Sequence, residues 1–164
     1  MSQKRFSLPL AIVDAVPVLL FLTNCILLGS AMHSALFVAG AVFCFIAGFF
    51  KVVWKVSIAV SGNDHSWLNR VFLPVMLTGF VLLILGIVLA IHGHTVPSSF
   101  LLHLIRAGAL VSFSIALIFL IALIVVRSVF GKSKFNTSET LNWAGEGLNI
   151  GFQASVLSGI LFMQ

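Results

Sequence analysis

Five runs of the chain are apolar over the length that a bilayer demands of a helix: residues 8–31, 34–54, 71–91, 100–126 and 141–163. A helix rises 1.5 Å per residue, so crossing a hydrocarbon core about 30 Å thick takes roughly 20 apolar residues. A backbone in lipid has no water to bond to, and a single apolar run satisfies its own N–H and C=O groups only as a helix. The expected fold is therefore all-α, a polytopic integral membrane protein with a bundle of five transmembrane helices in one domain over residues 1–164. Composition agrees with this. The chain is 60% hydrophobic and 8% charged with a mean hydropathy of +1.20, whereas soluble domains are about a quarter charged. The connections are too short to form a soluble domain, so chemistry has to be built between helices or at their ends.

The formal net charge of +5 does not point to nucleic acid, because of where the charges fall. Lys4 and Arg5 precede the first run, Lys51, Lys55 and Arg70 flank the second connection, and Arg127, Lys132 and Lys134 flank the fourth. The connections near His33 and from His92 to Ser99 hold no Lys or Arg. Basic residues gather on the cytoplasmic side of a membrane. The alternation therefore predicts a cytoplasmic N-terminus and an outside C-terminus in a cell inner or plasma membrane, with anionic membrane lipids as partners of the basic rim. Trp54, Trp67 and Trp143 fall at the same predicted cytoplasmic boundary, where amphipathic indoles prefer to sit.

The last run is unlike the others. Asn142, Glu146, Asn149 and Gln153 recur at spacings of four, three and four and so share one helical stripe. A carboxylate inside a membrane helix costs a few kcal/mol or more unless a partner, water or a proton compensates it. Behind this stripe run Gly147, Gly151, Ser155 and Gly159, small residues that let another helix approach closely. Asn136 and Glu139 together resemble a capping box, so this helix is expected to begin before it enters lipid.

Depth along the helices suggests partners for the stripe. Asp14 and Glu146 both lie on the order of 10 Å in from the cytoplasmic boundary. Lys51 approaches the same level, while Lys55, a turn further out, is expected to extend to the interface. Asp14, Lys51 and Glu146 thus make a candidate inner-leaflet cluster. Toward the other side, His103 and Arg106 share a face three residues apart, near the depth of Asn24. An arginine there would attract a carboxylate or phosphate. A broken polar track is expected to run from Arg106 through Gln153 and Asn149 to Glu146.

No metal or other cofactor is expected. Cys25 and Cys44 read as small buried hydrophobes, and His92 with His94 lacks the further ligands of a metal site. No nucleophile, phosphate-loop or metal-hydrolase motif is present, and there is no Tyr. The leading expectation is binding and translocation of a small solute or ion through a polar intramembrane cavity. In that reading Glu146 with Asp14 is the titratable element, Asn149 and Gln153 contact the ligand, and Arg106 with His103 draws in an anionic group. Two alternatives stand beside it: a non-catalytic subunit or regulator of a larger membrane complex, and an intramembrane enzyme acting on a lipid or prenyl substrate. A small-residue stripe of Gly40, Cys44 and Gly48 on the second run suggests a homo-oligomer or a partner membrane subunit.

Overall fold

The computed structural model describes residues 7–164, with the side chains of 101 and 132–137 excepted. The readings on Lys4, Arg5, Lys132, Lys134 and Asn136 lie outside the described residues. Among the described residues the protein is mostly helical and has no strand. The helices are α1 (Leu8–Val13), α2 (Ala15–Ala31), α3 (Ala35–Ser61), α4 (Ser66–His92), α5 (Ser98–Leu104), α6 (Ala107–Thr137) and α7 (Glu139–Met163). Four segments are long and apolar enough to cross a membrane: Leu8–Ala31, α3, α4 and Ala107–Gly131 of α6. At 25 residues, α7 is as long as a span, but its polar stripe leaves it less apolar than those four.

Local chemistry sets the breaks. Pro17 has no N–H to give the Val13 carbonyl and its ring crowds that carbonyl, so the first run is interrupted at Asp14, between α1 and α2. Gly131 stands at φ 69°, ψ 158° and kinks α6 at the expected stop. Ser138 begins α7, its hydroxyl accepting from the Leu141 amide. The fourth run is not continuous from 100 to 126. It divides at Ile105 and Arg106 into α5 and α6, which leaves the guanidinium exposed rather than inside a span. Two of the histidines have a backbone role. His33 (φ 51°) and His94 (φ 52°) take the left-handed position that ends α2 and α4. The amides of Ser34 and Thr95 then reach back to the Gly29 and Ala90 carbonyls, closing each helix end.

Packing is organised as two antiparallel hairpins joined through α2. In one, α3 and α4 meet almost backbone to backbone: a Cβ added at Gly40 would stand 2.6 Å from the Leu83 nitrogen, and one at Gly86 2.6 Å from the Phe37 nitrogen. The Ser34 hydroxyl accepts from the Phe37 amide and donates to the Gly86 carbonyl, locking this register. In the other hairpin, Phe119 and Phe113 of α6 fill the notches at Gly151 and Gly159 of α7. The α7 glycine face therefore receives aromatic rings rather than a helix backbone. On α3, Gly40 and Cys44 face α4 while Gly48 faces Val18 of α2. That small-residue stripe is occupied within the chain and gives no support to an oligomer. Between the hairpins, α2 packs on α3 on one side and on α7 on the other, whereas among the described residues α4 and α6 make little or no contact with each other. Their outward faces are lined with exposed Leu, Ile and Val.

Gly40→Ala and Gly86→Ala should each lower stability by about 1–3 kcal/mol, since the added methyl meets backbone that cannot move aside. Gly147, which faces open space, should tolerate alanine with a gain of about 0.5–1 kcal/mol. Unfolding of the purified variants in detergent measures both.

Candidate functional site

The break at Asp14 places a carboxylate where α1, α2, α3 and α7 come together. Lys55 Nζ of α3 lies 2.9 Å from Asp14 Oδ2 and 3.3 Å from Glu146 Oε1 of α7. All three residues are buried, at 5%, 4% and 5% exposure for Asp14, Lys55 and Glu146. Two carboxyls against one ammonium leave a negative charge that a proton or a further cation has to offset. Glu146 Oε2 finds no hydrogen-bond partner among the described residues.

The expectation for Lys55 was extension to the interface, and the structure shows the reverse. Helix α3 continues to Ser61, seven residues past the predicted end, so Lys55 falls nearly two turns inside the helix instead of at its rim. Lys51, one turn earlier and so deeper, lies beside the triad on the cavity wall. Its ammonium lies 5.3 Å from the centroid of the Phe72 ring of α4, a favourable cation–π distance.

Beside the triad lies a cavity of about 590 Å³, bounded by α2, α3, α4, α6 and α7. Because α2 carries α3 and α7 on its two flanks and α4 makes little or no contact with α6, the cavity is a cleft with α2 as its floor. Its lining along α2 runs from Asp14 to Leu28, on the order of 20 Å at helical rise. At the Asp14 end stand Lys51 and Arg127; farther along stand Asn24, Asn149 and Gln153. The remaining wall is largely apolar, with Phe21, Phe72, Phe80, Phe152 and Met76 prominent. Leu28, at the far end, packs against the apolar cluster of α2, α3 and α4.

The amides are partly spent on each other. Asn24 Nδ2 donates to both the backbone carbonyl and the Oε1 of Gln153, each at 3.0 Å. Because the first acceptor is a backbone oxygen, the orientation of the Asn24 amide is fixed. Its Oδ1 is left buried without a partner in a residue that is 2% exposed. An acceptor so placed costs about 1–3 kcal/mol unless water or a ligand donates to it.

The expected polar track is thus only partly assembled. Asn149, Gln153, Asn24, Asp14 and Lys51 share the cavity, whereas Glu146 stands behind it in the triad. Arg106 and His103 are not on the cavity wall. The break before α6 puts Arg106 at the surface, where its Nη1 donates to the Phe162 carbonyl at 3.5 Å. A guanidinium suits that place, the negative end of the α7 dipole. Sequence reasoning missed Lys55 as the centre of the cluster and Arg127 as a cavity residue. The four-residue spacing of Lys51 and Lys55, which puts both on one face, was the available signal for the former. Arg127 had been read only as a topology charge.

No family model matches this chain, and no curated protein or solved structure matches it. The site's own chemistry is what remains to read. Among the described residues no group of His, Cys, Asp and Glu is arranged to hold a metal ion.

Removing the ammonium tests the triad. Lys55→Met should cost about 3–5 kcal/mol, the range found when one partner of a buried ion pair is deleted. Adding Asp14→Asn and Glu146→Gln to that variant should restore most of the loss. Chemical denaturation in detergent reads both steps, and a Lys55→Met protein as stable as the parent would reject the structural role.

Proposed function

We propose that the protein is a five-span membrane bundle, with α7 as the fifth span, that binds and translocates a small solute bearing an anionic group. The observation that carries this reading is the 590 Å³ cleft, which falls within the range of about 300–1,000 Å³ typical of small-molecule sites. Its polar groups converge on one volume from four helices. The basic end holds Lys51 and Arg127, and the single acidic residue on the wall, Asp14, is already paired with Lys55 at 2.9 Å. The ammonium and guanidinium at that end are the donors that an anionic group would use. In this reading the anion-attracting role that sequence gave to Arg106 and His103 passes to Lys51 and Arg127. Asn149 and Gln153 keep the role of ligand contacts.

Orientation follows from the same charges. Lys51, Lys55, Arg70 and Arg127 all belong to the end where α3 turns into α4 and α6 leads into α7. That end is cytoplasmic by the positive-inside rule, which places the basic mouth of the cleft in the inner half of the membrane. The triad ties α2, α3 and α7 together at that level and is the natural element to rearrange if the cleft alternates between the two sides.

Translocation requires that the cleft be reached from both faces in turn. Asn149→Cys should react with a membrane-impermeant thiol reagent added to the cytoplasmic side and, separately, to the outside, above the background of the parent protein. Labelling from one side alone would reduce the proposal to binding without transport.

A further inference from the structure

Resting on the reading of the cleft as an anion site, we infer that its ligand is a single-chain anionic amphiphile that enters sideways from the bilayer. The headgroup sits between Lys51 and Arg127 and the tail lies along the phenylalanine wall. Three independent observations lead there. The first is the sparse contact between α4 and α6, both of which border the cavity: the exposed leucine, isoleucine and valine side chains on their outer faces suit lipid rather than water, so a way in between them would lead from the bilayer. A molecule already dissolved in the bilayer reaches the site without crossing an aqueous phase.

The second is the division of the lining. Charge is confined to the Asp14 level, where Phe72 meets Lys51, while the rest of the cleft is walled largely by Phe21, Phe80, Phe152 and Met76 around the amides of Asn24, Asn149 and Gln153. A small hydrophilic anion would fill only the basic end and leave that aromatic surface unused. A headgroup joined to an apolar chain matches both parts. Lys51 and Arg127 both line the cavity, and a phosphate, sulfate or carboxylate takes charge-assisted hydrogen bonds from an ammonium and from a guanidinium.

The third is size. A volume of about 590 Å³ lies within the range of about 300–1,000 Å³ that holds small molecules, which suits a headgroup joined to one chain. The buried Asn24 Oδ1 adds an acceptor at the far end, suited to a hydroxyl on the chain or to a water carried in with it.

The test uses the full chain in phosphatidylcholine nanodiscs and equilibrium binding of radiolabelled dodecyl phosphate, with empty nanodiscs subtracted. Saturable binding is expected. Dodecyltrimethylammonium and inorganic phosphate should compete at least tenfold less well than unlabelled dodecyl phosphate. Lys51→Gln and Arg127→Gln should each weaken binding by roughly tenfold or more, as loss of a charge-assisted hydrogen bond implies, while Lys51→Arg retains it. The competition series needs no variant, so a misfolded substitution leaves the result decisive. Equal competition by the ammonium compound overturns the inferred charge. Equal competition by inorganic phosphate overturns the lipid-phase ligand but leaves the anion-translocation reading standing. Absence of saturable binding overturns the amphiphile. Were Asn149→Cys also unlabelled from both sides, the proposed function would fall with it.

Discussion

One ammonium group holds the centre of this molecule. Lys55 Nζ touches carboxylates from the α1–α2 junction and from α7 while itself belonging to α3. In water such contacts would be worth little, because screening and side-chain entropy nearly cancel them. Here all three residues are almost fully buried, and in a low-dielectric interior an uncompensated charge is the worse alternative. The pairing therefore specifies an arrangement more than it adds stability. With the lysine in place, the break at Pro17, the extension of α3 to Ser61 and the inward stripe of α7 have to coincide at one level.

That constraint explains the shape of the cleft. The α3–α4 hairpin is held by backbone-close glycines, and the α6–α7 hairpin by phenylalanines seated on glycines. Neither hairpin packs on the other along its outer helix. What joins them is α2, through the triad at one level and through the Asn24–Gln153 amide pair farther along. Both joints are polar, so each is directional and each fixes the parallel register of α2 against α7. An apolar seam could slide by a turn without leaving a donor or acceptor exposed to hydrocarbon. These joints cannot, and the space between the hairpins keeps its form with α4 and α6 apart.

Much of the architecture was legible in hydropathy and turn chemistry. The apolar runs became helices, and the stop at Gly131 and the polar stripe of α7 lie where periodicity places them. The stripe's inward face followed from the cost of leaving Glu146 in lipid. Helix ends were harder to read. Lys55 reads as an exit from the membrane, yet α3 runs on to Gly62, whose φ of 72° ends it. That continuation is what turned an interfacial lysine into a buried one. Arg106 failed in the opposite sense. Continuous apolarity from 100 to 126 concealed a break that only the packing of α5 against α6 and α7 reveals. The cleft itself was not legible, because a concavity depends on which helices do not touch. No local pattern encodes that α4 and α6 remain separate.

The triad and the cleft share one electrostatic problem, which, on the proposed reading, links binding to the stability of the centre. Asp14 belongs to both: its carboxylate is held by Lys55, and its side chain borders the cavity near Lys51 and Arg127. While the cleft holds no anion, the field of those two cations helps to offset the second carboxyl of the triad. An anion seated between them draws that field to itself, and the carboxyl pair must then find its balance in a proton or a cation. Coupling of this kind is reciprocal by thermodynamic necessity. A proton or cation at Asp14 and Glu146 favours an anion in the cleft by as much as the anion favours it. The buried ion cluster holds three helices in register and, on the proposed reading, would also respond to an anion in the cleft they form.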